Sequence, residues 1–216
     1  MAKVKISRKS TRIDMTAMCD VAFLLLSFFI MTATIKQPDP KPVDTPASTV
    51  QTKLPDEDLA TITIGDKQVF FTILGPELRR VTLERMSKKY NVPFTEADYK
   101  AFQGLEGFGV PISQMKRLLA LSPDARNKEG LQNGIPFDSA NNQLKDWVKE
   151  AREAHRQIMD EKIQGGATDL VYKDLDIAIK ADAKEEYPTV KEVIEILRDQ
   201  KKNRFFLVTA LRNENF

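Results

Sequence analysis

Hydrophobic positions follow three different rhythms along the chain. From Met15 to Ile35 they run almost without interruption, broken by small hydroxyl residues and a single charge, Asp20. About 20 such residues in a helix cross the hydrocarbon core of a bilayer, so the run predicts a span over 15–35. From Leu59 to Ile64 and from Val69 to Leu74 the residues are β-branched or aromatic, and Gly65-Asp66-Lys67-Gln68 between them reads as a hairpin turn. Gly75-Pro76 ends the second strand. From Pro76 to about Gln164 the spacing becomes helical. Leu78, Val81, Leu83, Met86 and Tyr90 mark one helix, Thr95 caps the next, and Leu144, Trp147, Val148, Ala151, Ile158 and Met159 mark a long one over 141–163. Leu175, Ile177 and Ile179 then alternate as in a strand, Pro188 suits a first helical turn, and Phe205–Leu211 is strongly β-prone. A strand, a helix and a second strand in close succession favour parallel neighbours, and an α+β domain follows.

Within the apolar run the polar residues are spaced four, seven and seven apart. Thr16, Asp20, Ser27 and Thr34 therefore share one helix face, and the Phe and Leu residues occupy the others. An acid inside a span is costly and as a rule functional, and a polar stripe faces a protein partner or a wet cavity. A cleaved export signal would also have a basic start and an apolar run. Asp14 and Asp20 interrupt the junction where such a signal has no use for acids, which favours a retained span. Cys19 lies within the run and not after it, so it does not read as a lipid-attachment site.

Charge adds an orientation. The chain of 216 residues has a formal net charge of +2, but residues 1–14 hold Lys3, Lys5, Arg8, Lys9 and Arg12 against Asp14. A basic cluster beside a span predicts an N-terminus left in the cytoplasm, a tail near anionic lipid head groups, and everything after the span on the other side. The rest is close to neutral and has no basic stripe, which argues against nucleic acid as a partner. Residues 36–57 carry Pro38, Pro40, Pro42, Pro46 and Pro55 and read as an extended tether. The domain organisation expected is a tail over 1–14, a span over 15–35, a linker over 36–57, a sheet domain from 58–75 with 169–216, and a helical insertion over 76–168.

Enzyme chemistry finds little support. No metal-ligand spacing, Walker lysine or nucleophile elbow occurs, and Gly104-Leu105-Glu106-Gly107-Phe108-Gly109 lacks the strand and Lys-Ser/Thr of a phosphate loop. His155, the single histidine, reads as a solvated residue on a charged helix face. The acidic run Asp56-Glu57-Asp58 and the mixed run Lys184-Glu185-Glu186 read as solvated loops.

The segment Ile13-Asp14-Met15-Thr16-Ala17-Met18-Cys19-Asp20-Val21-Ala22-Phe23-Leu24-Leu25-Leu26-Ser27-Phe28-Phe29 resembles the N-terminal signature of the ExbD/TolR biopolymer transport family, with the intramembrane acid in register. Ala17 stands where that family commonly has proline and Cys19 where it has an aliphatic residue. Ile177–Ala183, Tyr187–Val190 and Phe205–Thr209 resemble the strand–helix–strand that ends the family's periplasmic domain. The resemblance implies a non-enzymatic proton-channel or stator subunit of a Gram-negative inner-membrane motor. Such a motor uses the proton motive force to energise TonB-dependent transport across the outer membrane. Asp20 would carry the proton, with Thr16, Ser27 and Thr34 along its path or against the partner. It also implies an ExbB/TolQ-like ring, a TonB/TolA-like periplasmic partner, a homodimer, and protons in place of any cofactor or metal. A TolR-like subunit of a Tol-Pal envelope-maintenance system is the near alternative. An exported periplasmic binding protein, with an N-terminus that serves only for targeting, is the alternative of another class.

Overall fold

The computed structural model describes residues 15–33, 39–49, 52–126, 128, 130–166 and 172–211. The basic tail and Thr34 lie outside the described residues. The chain divides into two units, residues 1–37 and residues 38–216.

In the first unit, α1 covers Met15–Thr32. Its 18 residues rise about 27 Å at 1.5 Å each. No side chain of α1 is buried, and a stripe of Phe, Leu, Ile, Val and Met lies exposed along it. By length and composition the helix can cross a membrane.

The second unit has α+β architecture. In chain order it contains β1 (Ala47–Ser48), β2 (Leu59–Gly65), β3 (Gln68–Ile73), α2 (Pro76–Tyr90), α3 (Glu96–Gln103), β4 (Gly107–Phe108), α4 (Ile112–Leu119) and α5 (Pro123–Arg126). There follow β5 (Phe137–Asp138), β6 (Asn141–Asn142), α6 (Gln143–Gln164), β7 (Asp176–Ala181), α7 (Tyr187–Asp199), β8 (Phe206–Leu207) and β9 (Ala210–Leu211). The main sheet has the order β4-β3-β2-β7-β8. β2 and β3 form the expected hairpin, and its turn residues Asp66 and Lys67 both adopt left-handed backbone, with φ of 52° and 58°. Two positive φ values give the strand twist that a tight hairpin needs. β7 pairs parallel with β2 on one side and with β8 on the other. Parallel neighbours require a crossover. Between β7 and β8 this is α7, and between β3 and β7 it is the whole run from α2 to α6.

Local signals set the helix ends. Pro76 opens α2 after Gly75, whose φ of 93° suits glycine, and Asn91 closes it in the left-handed region. Thr95 and Asp98 form a capping box on α3, and the Asn142 side chain accepts from the Lys145 amide at the start of α6.

Alternation along the strands makes two unlike sheet faces. Ala60, Ile62, Ile64, Val69, Phe71, Ile73, Ile177 and Ile179 point one way and join a single core with Leu83 and Met86 of α2, Met115 of α4, Trp147 and Ala151 of α6, and Val193 and Leu197 of α7. At its centre the Phe108 and Trp147 rings lie 4.6 Å apart, and Phe102 lies 5.3 Å from Phe108. The opposite face carries Thr61, Thr63, Phe70, Thr72, Ala178 and Lys180, as the strand register requires.

The structure corrects several expectations. The 76–168 block is not purely helical, because β4 joins the main sheet through Phe71↔Phe108 and Thr72↔Gly107 and β5–β6 form a small hairpin. Two of its glycines serve close packing. A side chain at Gly107 would strike Thr72 Oγ1, and Gly109 lies directly on the Phe70 ring. Phe205–Leu211 is not one strand, because after β8 the chain leaves β7 and β9 pairs with β1. His155 is buried, not solvated, with Nε2 3.1 Å from Asp58 Oδ1 but not aligned for a hydrogen bond. The acid runs are tied to the fold as well. Asp58 O accepts from Asp176 N, and Glu185 Oε2 accepts from the Lys67 amide in the hairpin turn. Finally, residues 39–48 of the proline-rich stretch belong to the second unit, where Asp44 O and Pro46 O accept from the Ala183 and Ala210 amides.

Candidate functional site

Asp20 is the sixth residue of α1, so its Cα stands about 7.5 Å from the helix start and about 5 Å to the N-terminal side of its middle. At 100° per residue, Thr16, Asp20 and Ser27 of α1 fall within an arc of about 40°. Its three members differ in chemistry. Ser27 is half-buried and its hydroxyl donates to Leu24 O at 2.9 Å, so its proton is used inside the helix. Thr32, which the stripe did not include, does the same with Phe28 O at 2.8 Å. Back-bonded hydroxyls of this kind tolerate an apolar surrounding. Asp20 has no such recourse. It is exposed on the helix and, among the described residues, its carboxylate has no hydrogen bond or ion pair.

The consequence is physical. An ionised carboxylate at the centre of a membrane-spanning helix costs roughly 2.5–3.5 kcal/mol on insertion scales, and less towards the helix ends. A low-dielectric surrounding favours the neutral acid, and a polar partner favours the carboxylate.

The second unit offers a different feature, an open sheet edge. β8 is the last strand of the main sheet, and Leu207 within it and Leu211 in β9 are 61% and 60% exposed. A groove of about 690 Å³ runs along this edge, lined by Ser48, Thr52, Leu54, Phe206, Val208 and Ala210 among others. Unpaired strand edges are templates for another strand. Near the same end, Asp174 is held by Arg152 and Lys202, at 3.0 and 2.9 Å. Burial works against its ionised form, but the hydrogen bonds and charges of Arg152 and Lys202 outweigh this and hold the carboxyl below its ordinary range.

The α2–α6 contact rests on a further charged network. Arg85 pairs with Glu150 at 2.9 Å, Lys89 reaches Asp146 at 2.6 Å, and the Tyr90 hydroxyl donates to Asp146 at 2.6 Å. These groups are satisfied by one another, lie away from the sheet edge, and hold the crossover block together.

Sequence reasoning placed Asp20 inside a helix, and α1 includes it. It missed the split of the C-terminal run and the exposed leucines at the edge, because two-residue strands leave no periodicity to read. A search of curated proteins and of solved structures finds no match. A family model described as biopolymer transport protein ExbD/TolR matches residues 7–211.

Proposed function

The chain belongs to the ExbD/TolR family of biopolymer transport proteins, and on that premise we propose that it is the proton-carrying, single-span subunit of an inner-membrane motor that energises TonB-dependent transport across the outer membrane. The observation that carries this reading is the single charge of α1, the Asp20 carboxylate, which has no partner among the described residues and sits on a mostly apolar helix.

Protonated, Asp20 is compatible with the apolar wall of a surrounding ring. Deprotonated, it seeks a polar group on that ring. Proton passage through Asp20 thereby shifts α1 between two positions. The membrane potential supplies about 2.3 kcal/mol per charge per 100 mV, of the same order as the cost of the buried carboxylate, so one proton suffices to reverse the preference. The cation-poor surface of α1 requires that the polar positions come from the partner, an ExbB/TolQ-like ring around a dimer of this span. The second unit, on the periplasmic side, passes the motion to a TonB/TolA-like protein, and the β8 edge provides the surface for dimerisation or for an added strand.

The test is Asp20→Asn in a host lacking the native copy, with assembly followed by co-purification of the ring. Asn keeps size and polarity but carries no titrating proton. Energised uptake should be lost while the complex assembles, and Asp20→Glu should retain part of it. Uptake at the wild-type rate with Asn in an assembled complex would overturn the proposal.

A further inference from the structure

Residues 39–48 lie across the threonine-rich face of the sheet, and the way they are attached is unlike the rest of the unit. Asp39 receives a hydrogen bond from Lys180 Nζ at 2.8 Å, and Lys41 Nζ pairs with Asp66 Oδ2 at 2.5 Å. The Asp44 amide donates to Asp182 Oδ2 at 3.1 Å, and Asp44 O accepts from the Ala183 amide at 2.7 Å. Pro46 O accepts from the Ala210 amide, and β1 adds its short parallel pairing with β9. All of these are polar contacts at the surface.

Apolar attachment is slight. Not one residue from 39 to 49 is buried, although beneath the strap Phe70 and Ala178 are fully buried and Thr63 is nearly so. Nor does the strap fill its seat. A cleft of about 560 Å³ remains, lined by Asp39, Pro40, Lys41, Phe70, Gln132 and Asp182 among others. Segments integral to a fold bury side chains at close-packed density, whereas this one is clipped on by exposed charge pairs that salt screens. Local opening draws on regions of this kind, with few buried apolar contacts and exposed backbone hydrogen bonds.

We propose that residues 39–48 form a releasable clasp, docked on the Thr61/Thr63/Phe70/Thr72 face in one state and lifted from it in another. Lifting frees ten residues of extended chain, about 31 Å of added reach for the tether. It also uncovers Gly107, against which Pro40 lies, and the threonine-bearing face beside it. Tether length and exposure of that face are thus coupled in one movement. The clasp stands on the geometry of the second unit alone and does not depend on Asp20 carrying a proton.

The test is hydrogen exchange on the full chain in lipid, with its ring partner when that is known. The amides of Ala183 and Ala210 lose their acceptors, Asp44 O and Pro46 O, when the clasp lifts. They should exchange on the order of a hundredfold faster than the β2–β3 amides, and faster still in high salt. A lock is available, because a Cβ at Gly65 would fall 2.8 Å from Val43 Cγ1, close enough for a disulfide in a Cys19→Ala, Val43→Cys, Gly65→Cys chain. Oxidation should slow the two amides about tenfold and leave the β2–β3 amides unchanged. If locking does not fold cleanly, Lys41→Glu against Asp66 should speed the same two amides selectively. Exchange of Ala183 and Ala210 as slow as that of the β2–β3 amides would show a permanent part of the fold and overturn the clasp. A Lys41→Glu effect spread equally over the sheet would do so too.

Discussion

Replacing Asp20 by leucine separates what the residue costs the helix from what it contributes to the motor. At a helix centre the insertion scales put Asp at roughly +2.5 to +3.5 and Leu near −0.5 kcal/mol, a difference of about 3–4 kcal/mol. Asp20 stands about 5 Å from the middle of a helix about 27 Å long, where the penalty is smaller, so about 2 kcal/mol is the working figure. At about 1.4 kcal/mol per decade this is roughly a thirtyfold gain in the insertion equilibrium constant. The assay places residues 15–35 as a test segment in a translocation reporter and compares the two sequences through glycosylation or protease protection. The expected pair of results is better insertion for Asp20→Leu and complete loss of energised uptake by the full chain. If the two segments insert equally, Asp20 does not meet lipid-like surroundings. If uptake persists with leucine, no proton passes through position 20.

Other outcomes follow from the second unit. Leu207→Asp places a charge on the open β8 edge and should weaken self-association of the full chain in detergent, read by sedimentation, without lowering its melting temperature. Trp147→Ala empties the centre of the Phe102/Phe108/Trp147 cluster and should cost about 3–5 kcal/mol in denaturant unfolding; a loss under 1 kcal/mol would refute the packing described. His155→Leu removes a buried ring whose Nδ1 has no partner, and should leave stability unchanged or raise it by about 1 kcal/mol; a large loss would mean that the contact with Asp58 is structural. Asp174 has a folded-state pKa below its unfolded value, so its contribution is complete above the ordinary carboxylate range and vanishes as pH falls through the lowered one. Asp174→Asn should therefore flatten the acid limb of stability against pH, and a limb unchanged by the substitution would contradict this.

The strands and helices with enough length to show a rhythm were legible from the residues alone. β2 and β3 follow from β-branched and aromatic runs on either side of Gly65–Gln68 and from Gly75-Pro76, β7 from alternation, α7 from Pro188, and α3 from Thr95 with Asp98 three residues on. What escaped notice depends on tertiary contact. Gly107-Phe108 becomes a strand only because Gly107 admits Thr72 against it. Asp39 and Lys41 give no local sign that Lys180 and Asp66 await them far along the chain. His155 sits among charged residues in sequence, yet its helix face turns inward beneath the loop that carries Asp58. For the candidate site, the face of Asp20 could be read from spacing, but the back-bonding of Ser27 and Thr32 needed coordinates.

The parallel pairing of β2 with β7 constrains how the molecule is born. Leu59 finds Asp176 and Ile62 finds Ile179 only after the entire α2–α6 block has been made. Until then the β2–β3 hairpin has one long side unoccupied, and closing so large a loop costs on the order of 4 kcal/mol of chain entropy. A chain made from its N-terminal end therefore exposes an apolar, edge-open hairpin until β7 has followed. The α2–α6 block, with its local helical contacts, can form first and shield the Ile62/Phe71 face while β7 is still to come. Trimming that block would shorten the loop but leave the nascent hairpin bare, so aggregation during biogenesis, rather than loss of the mature fold, is the defect such a deletion should produce.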